Sequence, residues 1–197
     1  MNLGDLVILK LALLPQPPCK VAGAFPRVDL RALRRLSKKT LGRAYAEFLD
    51  ANRIVPLEPS AEVVAKSRPY ALRFTATHDL HHVLTGFDTS LAGEIGVLAF
   101  NVGQGTAPGG AFVLGLARIV YSIVTPWNAR RIFGNARKGL ELGRAADDVL
   151  NAPLDEWFGD SLDDVRRRLH IATAASVPAA APAGSAAARP ASVLDRS

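Results

Sequence analysis

Three of the four histidines in this 197-residue chain lie within five positions, His78-Asp79-Leu80-His81-His82. His78 and His82 are four apart, so on a helix their imidazoles leave one face, a turn apart. Asp79 stands about 100° further round. After Val83-Leu84-Thr85 the chain reads Gly86-Phe87-Asp88-Thr89-Ser90 and then Leu91-Ala92-Gly93-Glu94. A glycine followed by an Asp-Thr-Ser cluster has the composition of a C-cap running into an N-cap, so one helix ends and a second begins there. If the two helices are antiparallel, the Glu94 carboxylate faces the two imidazoles. Two histidines and one or two carboxylates converging from facing helices make a divalent-metal site of nitrogen and oxygen donors. His81 projects away from both other imidazoles and reads as a bystander. The spacing is not that of a zinc protease, because Asp79 follows His78 and no glutamate stands between the histidines to act as a base.

The elements that must position these residues are helical throughout. Tyr70 to Thr85 is the histidine helix, with Leu72, Phe74, Leu80, Val83 and Leu84 apolar, and Leu91–Val102 carries Glu94 among small and apolar residues. Residues 1–14 read as a short helix stopped by Pro15. From Arg27 to Leu49 apolar residues recur at helical intervals, with a break expected near Gly42. The opposite face holds Arg27, Arg31, Arg34, Arg35, Lys38, Lys39 and Arg43, either an ordinary solvated face or one resting on an anionic membrane. Ile54 to Pro59 is a loop, and a short helix starts at Ala61. Gly103 to Gly110 is a connection without the lysine of a phosphate-binding loop. Ala111–Val124 is almost wholly apolar and is expected in the core, with a lipid-lining role as the alternative. Arg130 to Leu150 and Pro153 to His170 are two further amphipathic helices. The expected fold is all-α, a compact multi-helix bundle with the metal motif on a helix-turn-helix pair. The helical domain spans residues 1–171, and the Ala/Pro-rich stretch 172–197 reads as a disordered tail.

Composition narrows the function classes. One cysteine, Cys19, excludes a disulfide framework and a thiolate zinc site. A net charge of +6 favours anionic partners. Aromatic residues are not interleaved with the basic ones, which argues against nucleic acid. The first residues have no basic start and include Asp5, a poor signal peptide, and no stretch approaches the length of a spanning helix. A cytoplasmic protein peripherally associated with the inner face of the membrane is expected, and a homodimer is possible.

These residues resemble the ubiquinone (coenzyme Q) biosynthesis protein Coq-four family. His78-Asp79-x-x-His82, followed after eleven residues by Glu94, is similar to its signature. Leu41-Gly42-x-x-Tyr45-x-x-Phe48, Arg73-Phe74, Leu84-x-Gly86, Gln104-Gly105 and Pro126-Trp127 match further landmarks, and Trp157 through Ile171 is similar to its C-terminal helix. The likeness runs from about Leu30 to Ile171. Leu98 and Asn101 stand where members often carry Lys and Glu, and Thr75 and Ala76 where Arg and Glu are common. The resemblance implies metal ligands at His78, His82 and Glu94, with Asp79 either a fourth ligand or a group that orients an imidazole. It implies a divalent metal (Zn, Fe, Co, Mn or Mg), a prenylated quinone precursor as ligand, and other ubiquinone-biosynthesis proteins as partners. The implied activity removes the ring carboxylate of a polyprenyl-hydroxybenzoate and hydroxylates that carbon. The alternative is a non-catalytic prenyl-lipid-binding scaffold with a structural metal. Arg73, five residues before His78, is a candidate for receiving an anionic ring substituent, with a structural salt bridge as the other reading.

Overall fold

A computed structural model describes residue 19 and residues 28–107 and 109–172. The expected helix over residues 1–14 and the tail from residue 173 lie outside the described residues. Among the described residues, eight α-helices follow in order: α1 (Leu30–Leu33), α2 (Leu41–Asn52), α3 (Ala61–Lys66), α4 (Pro69–Thr85), α5 (Leu91–Gly103), α6 (Gly110–Val124), α7 (Ala129–Ala145) and α8 (Leu162–Arg168), with a 3-10 turn at Pro126–Asn128. The all-α expectation holds.

The central helix is α4. Pro69 fills its first position, where the missing N–H costs nothing, and every residue from Leu80 to Thr85 is buried. Gly86 ends it in the left-handed region at φ 78°, returning its N–H to the His82 carbonyl. Arg166 of α8 completes that terminus by donating to the carbonyls of Val83 and Leu84 at 2.9 and 3.0 Å. A cation there satisfies two orphan acceptors and complements the helix dipole. Ser90 caps α5, its hydroxyl accepting from the Gly93 N–H at 3.3 Å.

Packing falls into three regions. The largest joins α2 and the second half of α4 to the C-terminal segment, with Leu41, Leu49, Leu84, Leu154 and Val165 fully enclosed. Tyr70 and Leu72 of α4 meet Leu150 in a second, smaller group. In the third, α5 lies against α6 and α7 through Ile95, Ala99, Leu114, Ile132 and Ala136. The α5–α7 contact is glycine-mediated, since a Cβ at Gly139 would sit 2.2 Å from the Gly96 carbonyl oxygen and one at Gly143 2.1 Å from that of Phe100. The backbones therefore touch directly.

Three expectations need correction. The segment from Arg27 to Leu49 breaks over 34–40, ahead of Gly42. Thr40 caps α2 there by accepting from the Arg43 N–H. Residues 153–160 form turns instead of continuing a helix to His170, because their carbonyls serve α2: Phe158 accepts from the Gly42 N–H and Asp160 from the Leu41 N–H, each at 2.9 Å. The apolar helix α6 is not enclosed. Leu114 is buried, but Phe112 and Ile123 are about three-quarters exposed (76% and 75%) and Leu116 and Ile119 more than half. Only one of its sides meets α5 and α7.

Candidate metal centre

The helical spacing of α4 sets His78 and His82 edge to face, ring centres 5.1 Å apart. Glu94, in the first turn of α5, reaches both: Oε1 is 3.3 Å from His82 Nε2 and Oε2 is 3.5 Å from His78 Nε2. The His82 ring is fixed from two sides. Phe48 of α2 stacks on it at 5.4 Å, and its Nδ1 lies 3.1 Å from the Phe87 carbonyl in the α4–α5 turn. A carbonyl only accepts, so Nδ1 carries the proton and the neutral ring turns Nε2 towards Glu94 as an acceptor.

That arrangement decides whether a cation fits. Nε2 of His82 is buried and makes no hydrogen bond, although a carboxylate oxygen stands 3.3 Å away. An acceptor nitrogen facing an anion is unfavourable unless a positive centre lies between them. Ligand atoms bound to one tetrahedral ion at about 2.1 Å would be spaced by about 3.4 Å, close to the two separations found. The donor atoms of His78, His82 and Glu94 all lie within 4.8 Å of one another. The three residues fit a divalent ion of the nitrogen- and oxygen-binding class, and the Phe87 carbonyl supplies the outer contact that fixes ligand orientation at such sites.

Without a metal, protons take the same role. Burial pulls the Glu94 carboxyl upward, but hydrogen bonding and charge from His78 and His82 outweigh it and hold the group at about 2. Burial opposes the charged form of His82, yet Glu94, the Phe87 carbonyl and Asp79 raise it above its ordinary value.

Asp79 is not brought into this ligand group. Its step of about 100° round α4 leaves it beside the three, lining a cavity together with His78 and Tyr45. Burial raises its carboxyl, partly offset by His78 and His82. The cavity measures about 1300 Å³, and Phe74, Leu57 and Thr77 also line it.

Arg73 borders the same cavity but is committed elsewhere. Its side chain is buried, Nη1 ion-pairs with Asp155 at 2.9 Å, and Nε and Nη2 donate to the carbonyls of Leu150 and Ala152. The salt-bridge reading is the one the structure contains. His81 is a bystander to the ligand group but not a surface residue. It is enclosed against Phe100, with neither ring nitrogen hydrogen-bonded, and burial first, then the positive neighbours, press its pKa down to about 3. Reasoning from sequence missed Tyr45 and Asp155 as part of this environment. Tyr45 was visible in the Leu-Gly-x-x-Tyr pattern, whereas nothing local marks Asp155.

Residues 25–175 match the family model described as coenzyme Q (ubiquinone) biosynthesis protein Coq4. The chain belongs to that family. A Xenopus laevis ubiquinone biosynthesis protein COQ4 homolog, mitochondrial by name, is 32% identical over 157 aligned residues, covering 73% of this chain and 51% of the relative. The Homo sapiens homolog is 32% identical over 156, covering 73% and 55%. The chain thus spans about half the length of these curated relatives. A crystal structure of a Nostoc punctiforme protein assigned to ubiquinone biosynthesis superposes with a TM-score of 0.62 at 22% identity, covering 87% of this chain and 77% of the other, a likeness that shows the fold alone. Membership places the chain in ubiquinone biosynthesis, and no helix among the described residues is long and apolar enough to cross a membrane.

Proposed function

We propose that the chain is a divalent-metal-dependent enzyme that replaces the ring carboxylate of a polyprenyl-hydroxybenzoate by a hydroxyl group. The observation carrying this reading is the buried His82 Nε2 facing the Glu94 carboxylate at 3.3 Å, with His78 completing a three-residue set beside the cavity. Three protein ligands leave positions for substrate, whereas a closed set of four would have favoured a structural metal. When bound, the ion would supply Lewis acidity towards a phenolate or carboxylate and, if it is Fe, Co or Mn, a means of handling dioxygen.

The overall change takes one aryl carboxylate, one dioxygen, two electrons from an external reductant and three protons. It gives the phenol, carbon dioxide and water. Within it, His78, His82 and Glu94 would hold the cation, and the Phe87 carbonyl keeps His82 in one tautomer. Burial raises the Asp79 carboxyl above its ordinary value, and the group lines the same cavity. Phe74 and Leu57 offer apolar wall to a prenylated ring. The +6 charge supports peripheral association with the inner, cytoplasmic face of the membrane, where other ubiquinone-biosynthesis proteins would be met.

The test is turnover of a prenylated hydroxybenzoate labelled at the carboxylate, using protein loaded in turn with each of the five metals and a chemical reductant under oxygen-18 gas. Labelled carbon dioxide and one labelled oxygen in the product are expected, both lost in His82→Ala. Stoichiometric metal, no turnover with any loading, and unfolding on chelation would leave the scaffold reading instead.

A further inference from the structure

Nine large apolar side chains are exposed among the described residues, and eight of them lie between Phe112 and Phe133. Six belong to one side of α6: Phe112, Val113, Leu116, Ile119, Val120 and Ile123, at the three- and four-residue spacings of a helical stripe. The other side, Leu114, Ala117 and Tyr121, packs onto α5 and α7. Trp127, 77% exposed, and Phe133 continue the outer stripe past the end of the helix. Soluble proteins seldom leave so continuous an apolar patch without using it.

The charge around the patch identifies what covers it. From Ile95 to Leu140 the sequence holds no aspartate or glutamate and five basic residues, Arg118, Arg130, Arg131, Arg137 and Lys138. A second copy docking by the same face would bring Arg118 and Arg130 towards their own counterparts, because a twofold interface pairs a patch with itself. Arg118 stacks over the Phe133 ring at 4.6 Å, and its buried Nε has no hydrogen-bond acceptor within the protein. Arg131 and Arg137 are ion-paired with Asp88 and Glu141, so the arginines available to a partner are Arg118 and Arg130. An apolar stripe, an exposed tryptophan at its end and neighbouring cations are the features of a helix lying in the headgroup plane of a membrane. With 15 residues, α6 is about 22 Å long, too short to span but suited to lie flat.

We propose that the outer face of α6, extended by Trp127 and Phe133, is the surface that seats this chain on an anionic phospholipid bilayer. The inference names the contact surface behind the membrane association proposed above and does not depend on the metal. Apolar side chains enter the acyl boundary, while Arg118 and Arg130 face lipid phosphate.

The full chain would be mixed with vesicles of about three parts phosphatidylcholine to one part phosphatidylglycerol, and with phosphatidylcholine alone. Co-sedimentation and tryptophan emission would be read, with Trp127→Phe assigning the signal between the two tryptophans. Binding to the anionic vesicles, a blue shift lost in Trp127→Phe, and weakening by salt are expected. Ile123→Glu should lower the bound fraction about tenfold or more, and Arg130→Glu should weaken binding to the anionic vesicles only. Both positions are exposed, so far-UV circular dichroism and metal binding should match wild type. Vesicle binding untouched by Ile123→Glu would place the contact elsewhere and overturn the proposal. So would an absence of vesicle binding, or a solution dimer that Ile123→Glu dissolves. Metal loading of the vesicle-free protein reads the metal centre separately, so the two proposals fail independently.

Discussion

Glu94→Gln keeps the length and position of a side chain that both imidazoles face, and removes its charge. In the metal-free protein the carboxyl is held at about 2 and His82 is raised. The depressed Glu94 stabilises the fold above its unfolded value near 4.5, an advantage lost as pH falls towards 2. The raised His82 contributes fully below its unfolded value near 6.5 and loses that contribution as pH rises through its folded one. The pair therefore supports the metal-free fold most between these limits, around pH 5.5. At full weight the Glu94 shift would be worth ~3 kcal/mol. The side chain is 43% exposed, and solvent screening brings the figure to about 1 kcal/mol. A chain of this size loses about 2–4 °C of melting temperature per kcal/mol. Metal-free Glu94→Gln should thus melt about 2–4 °C below wild type at pH 5.5, with the gap narrowing on either side. Bound metal stabilises the fold further: at about 1,000 times its dissociation constant it contributes roughly 4 kcal/mol, or about 8–16 °C. Melting curves in chelator and in each of the five metals at pH 7.5 would show that rise in wild type and less than about 2 °C in the variant. A variant keeping the whole metal-dependent rise, or a wild type unmoved by every metal, would refute the ligand assignment.

Other variants probe what surrounds the site. Arg73→Met strands Asp155 and two carbonyls, and urea denaturation should show a loss of about 3–5 kcal/mol. Gly139→Val drives a side chain into the Gly96 carbonyl, so a loss of at least about 1–3 kcal/mol and weaker metal binding through displaced α5 are expected from calorimetry. His81→Leu removes an enclosed ring with two unpaired nitrogens and should be neutral or stabilising by about 1–3 kcal/mol. Because the folded His81 lies at about 3, wild type loses stability as pH falls below the ordinary histidine value. The variant's acid melting curve should be shallower between pH 6.5 and 3.

The convergence of His78, His82 and Glu94 was legible because its signals are local, whereas Asp79, read as a possible fourth member, stands outside that group. Gly86 and Ser90 announce the end of one helix and the start of the next, and four-residue spacing does the rest. The setting of α6 was not, since a helix apolar on every side has no polar stripe to say which side faces out. Residues 153–160 carry helical periodicity, but their backbone is claimed by Leu41 and Gly42, more than a hundred positions earlier. His81 shows the same limit. Its position round α4 excludes it from the ligand group, yet whether that direction meets water or Phe100 depends on where α5 packs.

The Phe87 carbonyl makes the turn between α4 and α5 part of the instrument as well as its hinge. There is no slack in it: a Cβ at Gly93 would lie 1.8 Å from the Asp88 carbonyl oxygen, and one at Gly96 2.7 Å from the Phe87 ring. The eleven residues separating His82 from Glu94 therefore act as a ruler of fixed length. One residue more or fewer would shift the Phe87 oxygen off His82 Nδ1 and swing Glu94 round its helix, separating the three side chains while each remained in place in the sequence.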